Sequence, residues 1–239
     1  MQEISDWLKK NQITEVECLI PDITGNARGK FIPADKFVKE DSRLPESILI
    51  QTVTGEYTDV HDELVSPLDA DMFLVPDPDT MRMVPWSEDP TAQIIHDCNT
   101  RDGSPHPLST RNILKKVLKL YEDEGWEPVV APEVEFYLVK QNIDPNNELQ
   151  PPKGRSGRPE TARQSYSIDA LAEFEPFIED MYAFCEAQNL DVDTLIHESG
   201  AAQMEINFLH GNALSLADQV FTFKRTVRET AFRHGIYAT

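Results

Sequence analysis

Two short stretches in which carboxylates alternate with large apolar residues constrain the fold of this chain most. One is PEVEFYLV, which carries Glu133 and Glu135, and the other is QMEINF, which carries Glu205. Residues two apart on a β-strand point to the same face of the sheet. Both stretches are therefore predicted to be strands with one polar and one apolar face, and the second polar face also carries Gln203 and Asn207.

Glu198 lies shortly before Glu205, so four carboxylates could gather where these strands meet. Neighbouring carboxylates repel one another unless a cation compensates them. Oxygen ligands alone suit Mg2+ or Mn2+, whereas a zinc site would usually include His or Cys. Glutamates on one strand face are also ordinary at a solvated sheet edge. The residues alone thus leave two interpretations, a site for a hard divalent cation and a solvent-exposed strand surface.

The chain is strongly acidic, which narrows the classes of partner. Its 239 residues include 22 Lys and Arg against 42 Asp and Glu, a formal net charge of −20. Such a surface repels a phosphate backbone, so nucleic acid and anionic membranes are not expected partners. The sequence shows neither an apolar run long enough to span a bilayer nor a signal-peptide pattern at its start. We therefore expect a soluble, cytoplasmic protein.

The three cysteines, Cys18, Cys98 and Cys185, lie far apart in the sequence. Their spacing matches neither a disulfide framework nor a Cys-x-x-Cys metal pattern. We expect buried free thiols, as is typical of a reducing compartment, and no catalytic cysteine.

The patterns along the chain indicate two domains of the α+β class. The first is predicted to contain a short helix at 3–11, a β-hairpin within 14–33, a short helix in ADKFVKED and strands in SILIQTVTGEYTDV and AQIIHDC. The segment GSPHPL places a boundary near 103–108. The predicted domains are therefore 1–105 and 106–239.

The second domain is predicted to combine the two acidic strands with three helices. The helices are expected from Ser109 or Thr110 to Glu124, over 169–188, and from about Leu216 to His234. Between the first two of them, residues 141–163 are rich in Asn, Pro and Gly, and we expect a mobile loop that serves as a lid. The basic residues of this loop, which either meet an anion or face solvent, are Lys153, Arg155, Arg158 and Arg163.

Five segments of the sequence together resemble the glutamine synthetase family. They are HESGAAQMEINFLHGNALSLADQVFTFKRTVRETAFRHGIYAT, PEVEFYLV, ECLIPDITGNARGK, DADMFLVPDPDT and RQSYSIDAL. The resemblance covers nearly the whole chain and is strongest to the gamma-glutamylpolyamine (putrescine) synthetase branch. It implies an α+β fold in which a β-grasp-like domain, 1–105, precedes the first part of a catalytic domain, 106–239, with a curved antiparallel sheet.

The resemblance also implies roles for individual residues. Glu133 matches a ligand of a nucleotide-linked divalent ion. The ligands of the other divalent ion would be Glu135, Glu198 and Glu205, and the residues near the nucleotide would be Asp193, Phe208 and His210. The carboxylates would hold metal, and none of these residues is assigned as a general acid or base.

Members of this family are ATP-dependent ligases that activate the glutamate side chain as a γ-glutamyl phosphate, which an amine then attacks. The resemblance therefore implies glutamate, ATP and an amine as ligands, Mg2+ or Mn2+ as cofactor, and a homo-oligomer of stacked rings. Where glutamine synthetases proper carry an FDGSS-type segment for ammonium, this chain reads LIQTVTGEYTD. We therefore expect a larger amine, such as the polyamine putrescine, with Glu56 or Asp59 as a substitute charge.

Three alternatives stand beside this prediction. Glutamine synthetase proper would use ammonia, and a catalytically silent module would only bind metal or join subunits. A glycosidase is the weakest of the three, because neighbouring carboxylates on one strand face do not flank a glycosidic bond. By the resemblance, further ligands of the family's site lie beyond Thr239, so we expect a truncated domain that is inactive by itself.

Overall fold

The computed structural model describes residues 1–142, 144, 146–161 and 163–239. The chain forms two compact units, Met1–Pro128 and Val129–Thr239, and each contains both helices and a sheet. The predicted α+β class is therefore confirmed.

The first unit is built on a mixed sheet in the order β2-β1-β6-β4-β3, with β5 paired to β6. The central strands β1 and β6 run parallel, and the other pairs are antiparallel. The strands are β1 (Glu15–Pro21), β2 (Ala27–Pro33), β3 (Ser42–Pro45), β4 (Asp71–Pro76), β5 (Arg82–Met83) and β6 (Thr91–Asn99). The helices are α1 (Gln2–Lys10), α2 (Ala34–Phe37), α3 (His61–Leu64) and α4 (Thr110–Asp123).

The predicted β1–β2 hairpin is confirmed, with Glu15 paired to Pro33 at its open end. The strand predicted in SILIQTVTGEYTDV is wrong. Residues Glu46–Ile50 form a 3-10 helix instead, and only an isolated bridge, Gln51 to Tyr57, follows it among the described residues of this segment. The helical turn is fixed by tertiary contacts, because Asp69 accepts hydrogen bonds from the backbone N–H and the hydroxyl of Ser47.

Helix α4 begins where the sequence predicts, since the Ser109 hydroxyl accepts a hydrogen bond from the Asn112 N–H. Its buried Arg111 contacts Asp77 on one side, at 2.6 Å, and Asp97 of β6 on the other. These ion pairs hold α4 against the first sheet, so the helix belongs to the first compact unit. The predicted domain boundary between residues 105 and 106 stays a prediction.

The second unit contains an antiparallel sheet in the order β12-β8-β10-β9 and a small β7–β11 pair. Its strands are β7 (Val129–Val130), β8 (Glu133–Lys140), β9 (Val192–His197), β10 (Gln203–Phe208), β11 (Gly211–Asn212) and β12 (Ile236–Ala238). Its helices are α5 (Ile168–Ala172), α6 (Glu175–Ala187) and α7 (Ala213–Arg233). The apolar face of the sheet packs with α6 and α7 in one core, whose largest members include Phe136, Phe177, Met181, Met204, Phe208 and Phe223.

The single helix predicted over 169–188 is two helices in the structure, because α5 ends before Glu173 and α6 begins at Glu175. Pro176 lies in the first turn of α6, where its missing N–H leaves no intrahelical hydrogen bond unmade. The long helix predicted near the end of the sequence is confirmed as α7.

The three cysteines are buried free thiols, as predicted. Burial raises the pKa of Cys18 to about 11 and the pKa values of Cys98 and Cys185 to about 12. A thiol with so high a pKa is a poor nucleophile near neutral pH. In the part of the chain that the structure describes, no helix combines the length and the apolar character needed to cross a membrane.

Candidate metal centre

The two acidic strands are neighbours in one sheet. Strands β8 and β10 pair antiparallel, with Glu135 directly opposite Glu205 and Glu133 opposite Asn207. The alternating apolar residues of both strands lie in the core on the other face. Because directly opposed residues of paired strands share a face, the register gathers the predicted polar faces into one surface.

Glu198 joins this surface from the third strand. In β9, Thr194 pairs with Asn207 and Ile196 with Glu205, so the next residue of the same parity is Glu198. The Glu198 N–H donates a hydrogen bond of 2.8 Å to the Gln203 carbonyl, which continues the pairing of β9 and β10 by one step. Glu198 is half-buried at the start of the turn between the two strands.

Glu205 is the most buried of the four carboxylates and is affected by the charges of the other three. Its residue surface is only 8% exposed. Burial raises the pKa of Glu205, and the charges of Glu133, Glu198 and Glu135 raise it further, against a lowering contribution from Asn207. A buried carboxyl surrounded by three others is costly to ionise without a compensating cation. The polar face is thus a concentrated source of negative potential.

Amide side chains orient part of this cluster. Gln203 donates from its Nε2 to Oε2 of Glu135 at 2.7 Å. Its Oε1 accepts from the Tyr137 hydroxyl at 3.0 Å and from the Gly200 N–H at 2.8 Å. The sequence placed Gln203 on the polar face, but nothing in the local pattern indicated that Tyr137 and Gly200 fix its orientation.

Asn207 offers a further oxygen atom to the same surface. Its Nδ2 donates to the Thr194 hydroxyl at 3.1 Å, while its Oδ1 is buried without a hydrogen-bond partner among the described residues. A buried carbonyl oxygen without a partner is unfavourable. It could therefore accept a bond from a water molecule beside the carboxylates.

The donor set fits a hard divalent cation in its chemistry and in its strand placement. Four carboxylates from three adjacent chain segments meet on one face, and oxygen is the ligand atom that Mg2+ and Mn2+ prefer. In the described ranges, however, no three His, Cys, Asp or Glu side chains already converge closely enough to hold an ion. The metal role of Glu133, Glu135, Glu198 and Glu205 therefore stays a prediction, and the observation that supports it is their shared face.

The residues predicted near the nucleotide separate into two kinds. Asp193 is exposed at a register shift between β9 and β10, and His210 is exposed just beyond the end of β10. The Leu209 N–H donates to the Asp191 carbonyl at 2.8 Å, so both lie at the same end of the sheet. Phe208, by contrast, is buried in the core, 5.6 Å from the ring of Phe223. The roles of Asp193, Phe208 and His210 near a nucleotide stay predictions.

The predicted loop at 141–163 is anchored along its described second half. Glu173 accepts from the Ser156 N–H through its carboxylate and from the Arg155 N–H through its carbonyl, at 2.8 and 2.9 Å. Arg155 also lies 3.6 Å from Glu175, and both side chains are more than half exposed. Of the predicted loop, residues 143, 145 and 162 lie outside the described residues. The lid role stays a prediction.

Comparison with known proteins decides the family. The sequence model described as the glutamine synthetase catalytic domain matches residues 107–239, more than half of the chain. The chain belongs to the glutamine synthetase family. The resemblance stated from the sequence is thereby confirmed.

Several members of the glutamine synthetase family are similar over nearly the whole chain. Gamma-glutamylputrescine synthetase PuuA of Escherichia coli K12 is 31% identical, with 100% of this chain and 52% of the relative covered. Glutamate–isopropylamine ligase of a Pseudomonas species is 30% identical, with 99% and 52% covered. A glutamine synthetase of Pyrococcus furiosus is also 30% identical, with 96% and 47% covered. The chain spans about half the length of these relatives.

Solved structures agree on the fold. A complex of GmaS with ADP has a TM-score of 0.73 and 23% identity, with 100% of this chain and 51% of that chain covered. GmaS without ligand has a TM-score of 0.76 and 24% identity, with 100% and 52% covered. The predicted fold class is therefore confirmed, with a β-grasp-like sheet followed by the first part of a glutamine synthetase-type catalytic domain.

Proposed function

We propose that this chain supplies one wall of the active site of an ATP-dependent ligase, which joins the side-chain carboxylate of glutamate to an amine. The observation that carries the proposal is the register of β8 and β10, which sets Glu135 opposite Glu205 with Glu133 and Glu198 on the same face. Membership of the glutamine synthetase family supports this ligase chemistry.

The proposed ligands divide between two ions. Glu135, Glu198 and Glu205 would hold one Mg2+ or Mn2+, and Glu133 would hold a second that is linked to the nucleotide. Bound divalent cations offset negative charge on the phosphates and on the substrate carboxylate. Gln203 donates a hydrogen bond to Oε2 of Glu135, so this amide would help to orient a ligand.

The nucleotide is proposed to lie toward the end of the sheet that carries Asp193 and His210. Both side chains are exposed there and free to meet a ligand. Phe208 is proposed to lie near the nucleotide as well, although its side chain is buried in the core. ATP would be the co-substrate, and its γ-phosphate would point toward the carboxylate face.

A carboxylate is a poor acyl donor, which gives the proposed reaction its physical reason. Transfer of the ATP γ-phosphoryl group to glutamate forms a γ-glutamyl phosphate and ADP. The amine nitrogen then attacks the acyl carbon and loses a proton, the bond to the phosphate oxygen breaks, and inorganic phosphate leaves. Water must be excluded because it would compete with the amine. The loop at 141–163 is the proposed cover, and no residue of this chain is assigned as a general acid or base.

The proposed amine is larger than ammonia, with a polyamine such as putrescine as the first choice. Two of the relatives carry names that contain an organic amine, putrescine and isopropylamine. The segment LIQTVTGEYTD supports the same choice, because it lacks the family's ammonium-binding aspartate. Within this segment, Glu56 lies at an exposed turn and accepts a hydrogen bond from the Thr54 hydroxyl at 3.1 Å. Ammonia is the second candidate, since the glutamine synthetase of Pyrococcus furiosus is equally similar.

The setting of the whole protein is part of the proposal. We infer a cytoplasmic homo-oligomer of stacked rings that binds glutamate, ATP and an amine. The 239 residues by themselves are proposed to lack turnover, since they span only about half of the ligases they resemble.

The test follows phosphate release by the longest natural protein that contains this sequence. Glutamate, ATP and Mg2+ are supplied with putrescine, with ammonium or with neither. Release that depends on putrescine is expected, and a Glu205→Ala variant should abolish it. Release with ammonium alone would overturn the choice of amine, and no amine-dependent release with any amine tested would overturn the ligase itself.

A further inference from the structure

One carboxylate outside the proposed ligand set holds both ends of the turn between β9 and β10. Oε2 of Glu160 accepts a hydrogen bond from the Ala202 N–H at 2.7 Å and lies 3.0 Å from Nε2 of His197. His197 is the last residue of β9, and Ala202 immediately precedes β10. Glu160 therefore spans the base of the turn on which Glu198 lies.

The turn has a backbone that requires such support. Ala202 is fully buried and has a φ of 54°, in the left-handed region that residues other than glycine rarely adopt. Its carbonyl accepts from the Leu138 N–H at 2.9 Å, and its own N–H donates to Glu160. A rare conformation persists where the surrounding contacts over-determine it. Glu160 supplies one of these two contacts.

His197 links Glu160 to the backbone of Glu198. Its ring is fully buried, and its Nδ1 lies 2.7 Å from the Glu198 carbonyl oxygen. Both ring nitrogens thus face oxygen atoms. The imidazole forms a rigid link between the Glu160 carboxylate and the backbone that carries the Glu198 side chain.

The same stretch of chain follows the turn for several residues. The Tyr166 N–H donates to the His197 carbonyl at 2.8 Å, and the hydroxyls of Ser165 and Ser199 lie 3.1 Å apart. The chain just after the predicted loop is therefore attached to the acidic turn at more than one point. A displacement of Glu160 would therefore shift the backbone that carries Glu198.

We propose that Glu160 is a positioning residue, which fixes the Glu198 carboxylate for a divalent cation through His197 and Ala202. This inference rests on the proposed function, in which Glu198 and Glu205 bind that cation. Groups that orient metal ligands without touching the metal typically change metal affinity by 10–100-fold when they are removed. Glu160 also connects the loop at 141–163 to the ligand, so loop position and cation binding are coupled.

The test measures Mn2+ binding to the 239-residue chain from the electron paramagnetic resonance signal of the free ion. Glu160→Ala is expected to weaken binding by about tenfold. Glu160→Gln keeps the size of the side chain and one acceptor oxygen, so its loss is expected to be smaller. Glu198→Ala tests the ligand itself, and Glu179→Ala, an exposed carboxylate on α6, is the matched control with unchanged affinity.

A role in folding alone would give a different pattern. Thermal unfolding of the cation-free variants, followed by circular dichroism, identifies a temperature at which all of them are folded. If Glu160→Ala is unfolded throughout, Glu160→Gln decides, and weaker binding by a folded Glu160→Gln supports positioning. Folded variants of Glu160 with the wild-type Mn2+ affinity would overturn the inference, while a loss in Glu198→Ala would leave the proposed function standing. Unchanged binding in Glu198→Ala would instead overturn the proposed ligand set.

Discussion

Glu135 and Glu205 stand directly opposite each other on the paired strands β8 and β10. Like charges in directly opposed positions destabilise a sheet. The cost is greater for Glu205, because it is nearly buried and because Glu133 and Glu198 also raise its pKa. A bound cation would offset this repulsion. The four carboxylates therefore lower the stability of the cation-free chain and favour the binding of a cation.

Glu205→Gln should therefore raise the free energy of unfolding of the cation-free chain by about 1 kcal/mol. The substitution removes the charge and keeps the size of the side chain. Urea unfolding in the presence of a chelator measures the change. Glu179→Gln, which alters an exposed carboxylate on α6, should stay within about 0.5 kcal/mol of the unaltered chain. A destabilised Glu205→Gln would mean that the carboxylate is favourable where it lies.

The strand alternation was predictable because its period is local. Residues two apart share a face whatever the rest of the chain does, so the polar and apolar faces of β8 and β10 could be assigned from eight and six residues of sequence. The register of the two strands is different, since it joins Glu135 to a residue far along the chain. That pairing is set by the core and by the turn before β10.

The two wrong predictions of secondary structure concern segments whose local structure depends on tertiary contacts. β-Branched residues favoured a strand in SILIQTV, but hydrogen bonds from Ser47 to Asp69 stabilise a 3-10 helix there. The spacing of apolar residues predicted one helix over 169–188. The structure has a break between α5 and α6 at Glu173, which accepts a hydrogen bond from the loop. The contact between Glu160 and His197 could not be predicted from a local sequence pattern. Glu160 lies in irregular structure, and His197 lies at the end of a strand far along the chain.

Arg111→Ala should destabilise the first unit by about 3 kcal/mol, since it leaves Asp77 partly buried without its ion pair, although Asp97 keeps its pair with Lys115. Urea unfolding measures this change. Lys119→Ala is the matched control on the same helix, and its exposed ion pairs predict a change below about 1 kcal/mol. Equal losses in the two variants would show that Arg111 acts through helix formation and not through its ion pairs.

The stability contributed by Asp77 should depend on pH. Burial alone would raise its pKa, but the hydrogen bond and charge of Arg111 hold the pKa below the ordinary value of 3.8. A lowered pKa in the folded state means that the contribution is complete above pH 3.8 and is lost as the pH falls through the folded value. The difference in unfolding free energy between the wild type and Asp77→Asn should therefore shrink below pH 3.8. A difference that grows on acidification would contradict this assignment.

Glu173→Ala should loosen the loop at 150–160. The carboxylate accepts a hydrogen bond from the Ser156 N–H, which also lowers its pKa. Without it, limited proteolysis with trypsin should cleave faster after Arg155, while the cutting rate elsewhere is unchanged. Glu175→Ala removes only an exposed ion pair with Arg155 and should have little effect. Similar cutting of both variants would show that Glu173 does not anchor the loop.

The central claim is that the carboxylates of β8, of β10 and of the turn after β9 bind a divalent cation together. A Mn2+ titration that compares the unaltered chain with Glu135→Ala, Glu205→Ala and Glu179→Ala tests it most directly. We predict saturable binding by the unaltered chain and by Glu179→Ala, and affinity at least about tenfold lower in the other two variants. Equal affinities in all four proteins, or no saturable binding in any of them, would contradict the claim.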